Sequence, residues 1–166
     1  MPRAGRYPSP VRNGLVLRQR GFTLIETLIV LIFVGALAAF SLPRIASLGV
    51  KINVRSARVA FGNLAVKARA AAGQRGCKAT LNFTTGSAGV VWVTVCKIGQ
   101  SGTDTLGRVE PLAARFGVSI GSTSSSLAYT PRGISVGYQS LTATFTSGSG
   151  GYTDSTVINQ LGKVVR

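Results

Sequence analysis

One apolar segment near the start of the chain, Phe22–Pro43, constrains the fold more than any other feature of the sequence. Of the 21 residues from Phe22 to Leu42, only Glu26 is charged. A helix of this length measures about 30 Å, roughly the thickness of the hydrocarbon core of a bilayer. Five arginines and no acidic residue precede the segment, which predicts a cytoplasmic leader and an exported remainder. The sequence therefore predicts a membrane-spanning helix at residues 22–43.

Glu26 distinguishes this segment from an ordinary signal peptide or signal anchor. A carboxylate within an apolar segment costs about 2.5–3.5 kcal/mol at the centre of a membrane, and less near its edge. A buried carboxylate is tolerated when a positive group pairs with it. We therefore expect Glu26 to have a positively charged partner in or near the membrane.

The residues around Glu26 resemble a known processing site. The run Gly21-Phe22-Thr23-Leu24-Ile25-Glu26 is similar to the cleavage site of type IV prepilins and of type II secretion pseudopilins. The resemblance implies that prepilin peptidase cuts after Gly21 and that the new amino group of Phe22 is methylated. It also implies that Glu26 pairs with the N-terminal amine of a neighbouring pilin subunit during filament assembly. The alternative is a plain membrane anchor.

The chain of 166 residues is long enough for one modest domain behind this segment. We expect residues 1–21 to be a cleaved leader peptide, residues 22–43 the membrane or filament-core helix, and residues 44–166 a soluble domain. The leader holds five of the 19 basic residues, so the remainder has 14 basic and four acidic side chains and a net charge near +10. Four carboxylates, two cysteines and no histidine suggest neither an acid–base pair nor a metal cluster. We expect no enzymatic activity, no cofactor and no metal site.

Helical periodicity continues behind the apolar segment to about Gln74. Apolar residues recur at spacings of four and three, as they do along one face of a helix. They are Val50, Val54, Ala57, Phe61, Leu64, Ala68 and Ala71. Basic residues occupy a neighbouring face about 100° away, at Lys51, Arg55, Arg58 and Arg69. The pattern predicts an amphipathic helix over residues 44–74, whose basic face is interpreted as a solvated surface rather than a binding site.

The pattern changes to β-strands from Cys77 onward. Apolar and polar residues alternate up to Phe83, and Val90–Ile98 is rich in β-prone residues. A hairpin centred on the intervening loop pairs Phe83 with Val90 and places Cys77 opposite Cys96. Cross-strand partners lie about 4.5 Å apart at Cα, which a disulfide can bridge. Because the domain is expected in an oxidising compartment, we predict a Cys77–Cys96 disulfide rather than two free thiols.

The remaining residues predict short strands separated by turns. The predicted strands are Leu112–Ile120, Leu127–Thr130, Ile134–Tyr138, Leu141–Thr146 and Ser155–Leu161, with or without Arg108–Glu110, and Gly99–Gly107 is a polar connection. A long helix followed by short strands indicates an α+β fold, in which the β-rich residues 77–166 form an antiparallel sheet packed on the helix.

The order of these elements is similar to that of FimT/GspH-type minor pilins and pseudopilins. The shared pattern is a long helix, an early hairpin, an aromatic-x-Pro-x-Gly turn at Tyr129–Gly133, and a final Gly-basic-x-x-Arg sequence. In the FimT members a C-terminal Gly-Arg-x-x-Arg motif binds DNA, and the matching positions here are Gly162, Lys163 and Arg166. Lys163 departs from the pattern, which has arginine at this position. Lysine lacks the planar guanidinium group with which arginine forms two hydrogen bonds to a phosphate.

The resemblance leaves three functions open. The first is a minor type IV pilin that contacts double-stranded DNA non-specifically during natural transformation, with Arg132 as an accessory contact and Arg108 and Arg115 behind it. The second is a minor pilin of pilus assembly without a DNA role, and the third is a GspH-like minor pseudopilin of type II secretion. The expected location is the inner membrane, crossed once, with the C-terminal domain in the periplasm or in a surface pilus. The high positive charge favours the first function, since phosphate binding requires such charge.

Overall fold

The computed structural model describes residues 21–99 and 101–165, except for the side chains of residues 41–47. The chain divides into two units, residues 1–41 and residues 42–166. Most of the predicted leader, residues 1–20, and the terminal Arg166 lie outside the described residues. The leader peptide and the role of Arg166 therefore stay predictions.

One long helix, α1, runs from Leu24 to Arg75. At its start the side-chain oxygen of Thr23 accepts a hydrogen bond from the backbone N–H of Glu26 at 3.3 Å, as an N-cap residue does. The large apolar side chains in the first part of α1 are exposed, and Phe40 is 79% exposed. Among the described residues, no helix combines the length and the apolarity that crossing a membrane requires. The membrane span predicted for residues 22–43 stays a prediction.

The part of α1 in the second unit carries the predicted apolar stripe and buries it. Val54, Ala57, Phe61 and Ala68 are completely buried. The helix ends at Arg75, one residue from the predicted end, and Gly76 follows it with a φ of +63°. Glycine takes this left-handed conformation without steric cost, which makes it the usual residue directly after a helix.

The strands behind α1 form two four-stranded antiparallel sheets. One sheet contains β1 (Ala79–Phe83), β2 (Val91–Cys96), β3 (Thr103–Thr105) and β5 (Ser126–Tyr129), in the order β3-β2-β1-β5. The other contains β4 (Val118–Ser122), β6 (Leu141–Ser147), β7 (Thr153–Ile158) and β8 (Val164–Val165), in the order β4-β6-β7-β8. A long helix followed by antiparallel strands confirms the predicted α+β class, but the strands form two sheets where one sheet was predicted.

Phe61 connects α1 to both sheets. Its ring meets the ring of Phe83 in β1 edge to face, with centroids 5.4 Å apart, and the ring of Phe145 in β6 at 5.5 Å. Burying a phenylalanine side chain contributes about 1.5–3 kcal/mol, and edge-to-face contacts add to this. The two sheets are also joined through backbone hydrogen bonds between Gly86 and Ile120. The core of the second unit therefore forms where the two sheets meet α1.

The β1–β2 register differs by one residue from the predicted register. Phe83 pairs with Val91 and Leu81 with Val93, whereas the predicted hairpin has Phe83 opposite Val90. The buried side chains of both strands lie at odd-numbered positions, so this register places them on the same face of the sheet, whereas a shift by one residue does not. Cys77 consequently lies before β1, in the turn that follows α1, and outside the strand ladder.

Three segments differ from the structure predicted for them. Leu112–Phe116 is a short helix, α2, which ends because Gly117 adopts a left-handed φ of +62°; β4 starts only at Val118. Val136–Tyr138 forms a 3₁₀ turn instead of a strand, since Gly137 has a φ of +71° in its middle. In the predicted polar connection, residues 103–105 pair with β2 and form β3.

Candidate functional site

The residues of the predicted processing site lie at the start of α1. Gly21 and Phe22 precede the helix, Glu26 is in its first turn, and all three are exposed. A carboxylate in the first turn is favoured by the positive end of the helix dipole. An exposed Glu26 is accessible to a partner, as pairing with the amine of another subunit requires. Cleavage, methylation and that pairing stay predictions.

Gly162 is the left-handed residue of a tight turn between β7 and β8. Its backbone N–H donates to the carbonyl oxygen of Asn159 at 2.8 Å, and its φ is +71°. The side-chain oxygen of Asn159 accepts a hydrogen bond from the backbone N–H of Lys163 at 2.9 Å. The turn is therefore fixed at both ends, and the side chain of Lys163 is exposed beside it.

A second turn, Thr130–Gly133, packs directly against this one. Its ends are joined by a hydrogen bond from the backbone N–H of Gly133 to the carbonyl oxygen of Thr130 at 2.8 Å. A Cβ atom at Gly162 would lie 2.6 Å from the carbonyl oxygen of Gly133 and 2.9 Å from the ring of Tyr129. The two motifs that carried the resemblance are therefore adjacent, although 29 residues separate their glycines in the sequence.

The buried residue Ser135 links the two turns through hydrogen bonds. It is 2% exposed, and its hydroxyl oxygen lies 2.8 Å from the carbonyl oxygens of both Gln139 and Gln160. Its backbone N–H also donates to the carbonyl oxygen of Gln160 at 3.3 Å. These bonds hold the turn that carries Arg132 in a fixed position beside the turn that carries Lys163.

The arginines of the second unit differ in whether a carboxylate neutralises them. Arg58 pairs with Asp154 at 3.1 Å, and Arg115 pairs with Glu110 at 3.5 Å. Within the described part of the chain, neither Arg69 nor Arg132 forms an ion pair, and both are exposed. The prediction placed Arg115 among the accessory contacts, but its ion pair makes it a weaker candidate than Arg132.

Tyr129 lies beneath the two turns, at the end of β5. It is completely buried, and its hydroxyl finds no hydrogen-bond partner among the residues that the structure describes. Burial raises the pKa of Tyr129 to about 12, and the charge of Arg69 offsets part of that rise. The phenol is therefore neutral at physiological pH and compensates none of the positive charge above it.

Cys77 and Cys96 form the predicted disulfide, with their Cα atoms 6.3 Å apart. The bond joins the turn after α1 to the last residue of β2, and Arg75 donates a hydrogen bond to the carbonyl oxygen of Cys96 at 3.4 Å. It therefore fixes the C-terminal end of the helix to the first sheet.

Sequence reasoning missed two residues of this region. Arg69 was assigned to the solvated face of the helix, because periodicity gives the face of a residue but not the loop that it meets. Asn159 was not considered, although Asn-x-x-Gly is a recognised turn signal and Asn159 shapes the backbone beside Lys163. The predicted meeting of Lys163 with Arg166 lies outside the described residues.

Comparisons with known proteins agree with these features. Residues 17–42 match the family model described as the prokaryotic N-terminal methylation motif. No curated protein matches the chain. Two crystal structures of the type IV minor pilin FimU from Pseudomonas aeruginosa are similar to it. The first has a TM-score of 0.56 and 15% sequence identity, and the match covers 69% of this chain and 88% of FimU. The second has a TM-score of 0.53 and 16% sequence identity, and the match covers 67% of this chain and 90% of FimU. The chain thus joins an N-terminal methylation motif of the prepilin type to the fold of a type IV minor pilin.

Proposed function

We propose that this protein is a minor type IV pilin, a structural subunit rather than an enzyme. Prepilin peptidase would remove the leader after Gly21, and the subunit would then enter a filament with other pilins. One observation carries the proposal: the methylation motif, residues 17–42, includes the start of a long helix that leads into a pilin-like domain.

The exposed apolar surface at the start of α1 supports this role. In residues 22–40 the exposed large apolar side chains are those of Phe22, Leu24, Ile25, Leu28, Ile29, Val30, Leu31, Ile32, Phe33, Val34, Leu37 and Phe40. Burying apolar surface contributes about 25 cal/mol per Å², so such a helix is stable only against lipid or other apolar helices. We infer that this part anchors the protein in the inner membrane and later packs among other subunits.

Glu26 provides the test of assembly. Glu26→Ala removes the proposed partner of the incoming amine, so the variant should reach the membrane but be lost from sheared filaments. Asp104→Ala, which removes an exposed carboxylate from β3, is the control and should leave incorporation unchanged. Equal recovery of both variants from filaments would contradict the proposed role.

We further propose that the domain contacts double-stranded DNA without sequence preference, through Lys163, Arg166 and Arg132. Lys163 and Arg132 occupy adjoining turns, both side chains are exposed, and Gly162 permits the close approach of the turns. Two of the three side-chain carboxylates of the second unit are paired with arginine. Most of the basic side chains that the structure describes in this unit therefore have no acidic partner and are available to bind phosphate. Contact of this kind suits DNA uptake during natural transformation.

A salt titration of the detergent-solubilised mature chain with a short duplex tests the DNA contact. Lys163→Gln with Arg166→Gln should weaken binding to all sequences alike and make the log–log salt dependence shallower by about two units. Lys78→Gln with Lys97→Gln removes the same charge beside the disulfide and should change the affinity far less. If the parent chain binds no duplex at low salt, the DNA role fails, and the pilus-assembly and secretion alternatives remain.

A further inference from the structure

We propose that an open groove between α1 and the turn Thr130–Gly133 binds a phosphate group, held between Arg69 and Arg132. The inference rests on the proposed DNA contact for its biological ligand. It adds Arg69 of α1 to that contact and specifies where one phosphate binds. The groove, named here the Arg69–Arg132 groove, has a volume of about 310 Å³. It is lined by Val66, Arg69, Ala70, Gly73, Pro131, Arg132 and Gly133.

Small residues bring the two walls of the groove together. On the helix side, a Cβ atom at Gly73 would lie 3.6 Å from the carbonyl oxygen of Pro131, so the turn rests close to the helix backbone there. Ala70 is the neighbouring helix residue in the lining. The remaining space is bounded by two guanidinium-bearing side chains, one from each wall.

The side chain of Arg69 passes close to Gly133. A Cβ atom at Gly133 would lie 2.8 Å from Nε and 3.3 Å from Cγ of Arg69, so the arginine crosses the turn in close contact with its backbone. Gly133 also has a φ of +75°, which other residues adopt only with strain. The stem of Arg69 therefore packs on the backbone of the turn that carries Arg132.

The charges in the groove have no counter-charge among the described residues. No acidic residue lines it, and neither arginine forms one of the ion pairs found at Arg58 and Arg115. The buried phenol of Tyr129 is close enough for Arg69 to affect its titration, but it is neutral. Two cations that line one groove repel each other, and an anion bound between them offsets that repulsion.

Phosphate is the anion that fits this arrangement. A guanidinium offers parallel N–H groups that match the oxygens of a phosphate, and two such groups on opposite walls can each hold a pair of oxygens. The open shape of the groove admits a phosphodiester in a chain as well as a free ion. Lys163 is exposed on the turn that packs against Gly133, so we expect it to contact a neighbouring phosphate of the same strand.

The experiment uses the full mature chain in detergent and two probes, inorganic phosphate and a short DNA duplex. Binding of inorganic phosphate is followed by calorimetry and binding of the duplex by fluorescence anisotropy. Arg69→Gln with Arg132→Gln should abolish phosphate binding, weaken duplex binding about tenfold or more, and make the salt dependence shallower by about two units. Arg69→Lys with Arg132→Lys keeps the charge but not the fork, and should recover only part of the affinity.

Lys78→Gln with Lys97→Gln is the matched control, because it removes two exposed positive charges away from the groove. The groove proposal is overturned if the Arg69 and Arg132 double variant binds both probes as this control does. If the parent binds phosphate through the two arginines but binds no duplex, the groove stands and the DNA role fails. If the parent binds the duplex and the double variant binds both probes equally well, the DNA role stands and the groove fails. A parent that binds neither probe overturns both.

Discussion

Gly162 and Gly133 pack backbone to backbone, so closely that a Cβ atom at position 162 would lie 2.6 Å from the carbonyl oxygen at position 133. This contact joins the turn that carries Arg132 to the turn that carries Lys163. Gly162 is therefore required for the structure of the site, and Lys163 and Arg132 supply its positive charge.

Gly162→Ala should destabilise the second unit by about 2–3 kcal/mol. The left-handed φ alone costs about 1–2 kcal/mol for a residue with a Cβ, and the overlap with the backbone of Gly133 adds to it. Gly150→Ala is the control: Gly150 has a φ of +73° in a similar turn, but a Cβ there meets nothing within 4 Å. Urea unfolding measures both variants. Equal losses would show that the backbone contact contributes nothing.

Tyr129→Phe should change how stability depends on pH above pH 10. The raised pKa of Tyr129 means that the unfolded chain loses the phenolic proton near pH 10 while the folded chain keeps it to about pH 12. The unfolded state then binds fewer protons, so stability falls with pH in this range, by up to about 1.4 kcal/mol per unit. The phenylalanine variant has no phenolic proton to lose, so its stability should not fall with pH for this reason.

Urea unfolding of parent and variant at pH 7 and at several values between pH 10 and 12 measures the difference. At pH 7 the variant should be as stable as the parent or slightly more stable, because the hydroxyl has no partner among the described residues. A parent and a variant with parallel pH profiles would show that Tyr129 titrates normally.

Removing the disulfide should lower stability while sparing the cationic turns. Cys77→Ser with Cys96→Ser opens a loop with a sequence separation of 19, for which chain-entropy estimates give about 3 kcal/mol. The cross-link holds the end of α1 to β2, whereas Arg132 and Lys163 are held by Ser135 and Asn159. The double variant should therefore melt earlier and bind DNA as the parent does. Unchanged melting of the parent after reduction would contradict the predicted contribution.

The helix was predictable from the sequence because apolar residues repeat at helical spacing along the buried part of α1. The disulfide is confirmed, but of its two grounds only export was correct, because Cys77 lies before β1 and does not pair with Cys96 across the strands. The β1–β2 register was predicted wrongly because loop symmetry was used in place of burial: Leu81 must share a face with Val93, not with Trp92. The end of α2 also had a local signal in Gly117, but β-prone residues after it obscured that signal.

The candidate site was predictable only in part. Lys163 and Arg132 were found through motifs, each within its own short segment. The contact between Gly133 and Gly162, and the position of Arg69 against Gly133, depend on how the end of β5 and the β7–β8 turn meet on α1. No local pattern encodes such contacts, because they arise from packing between distant segments.

The mass of the protein recovered with sheared filaments tests the central claim, that this chain is a processed pilin subunit. We expect a chain that begins at Phe22, with one methyl group on its amine, in the filament fraction. A full-length chain that retains residues 1–21, or a processed chain absent from the filaments, would contradict it.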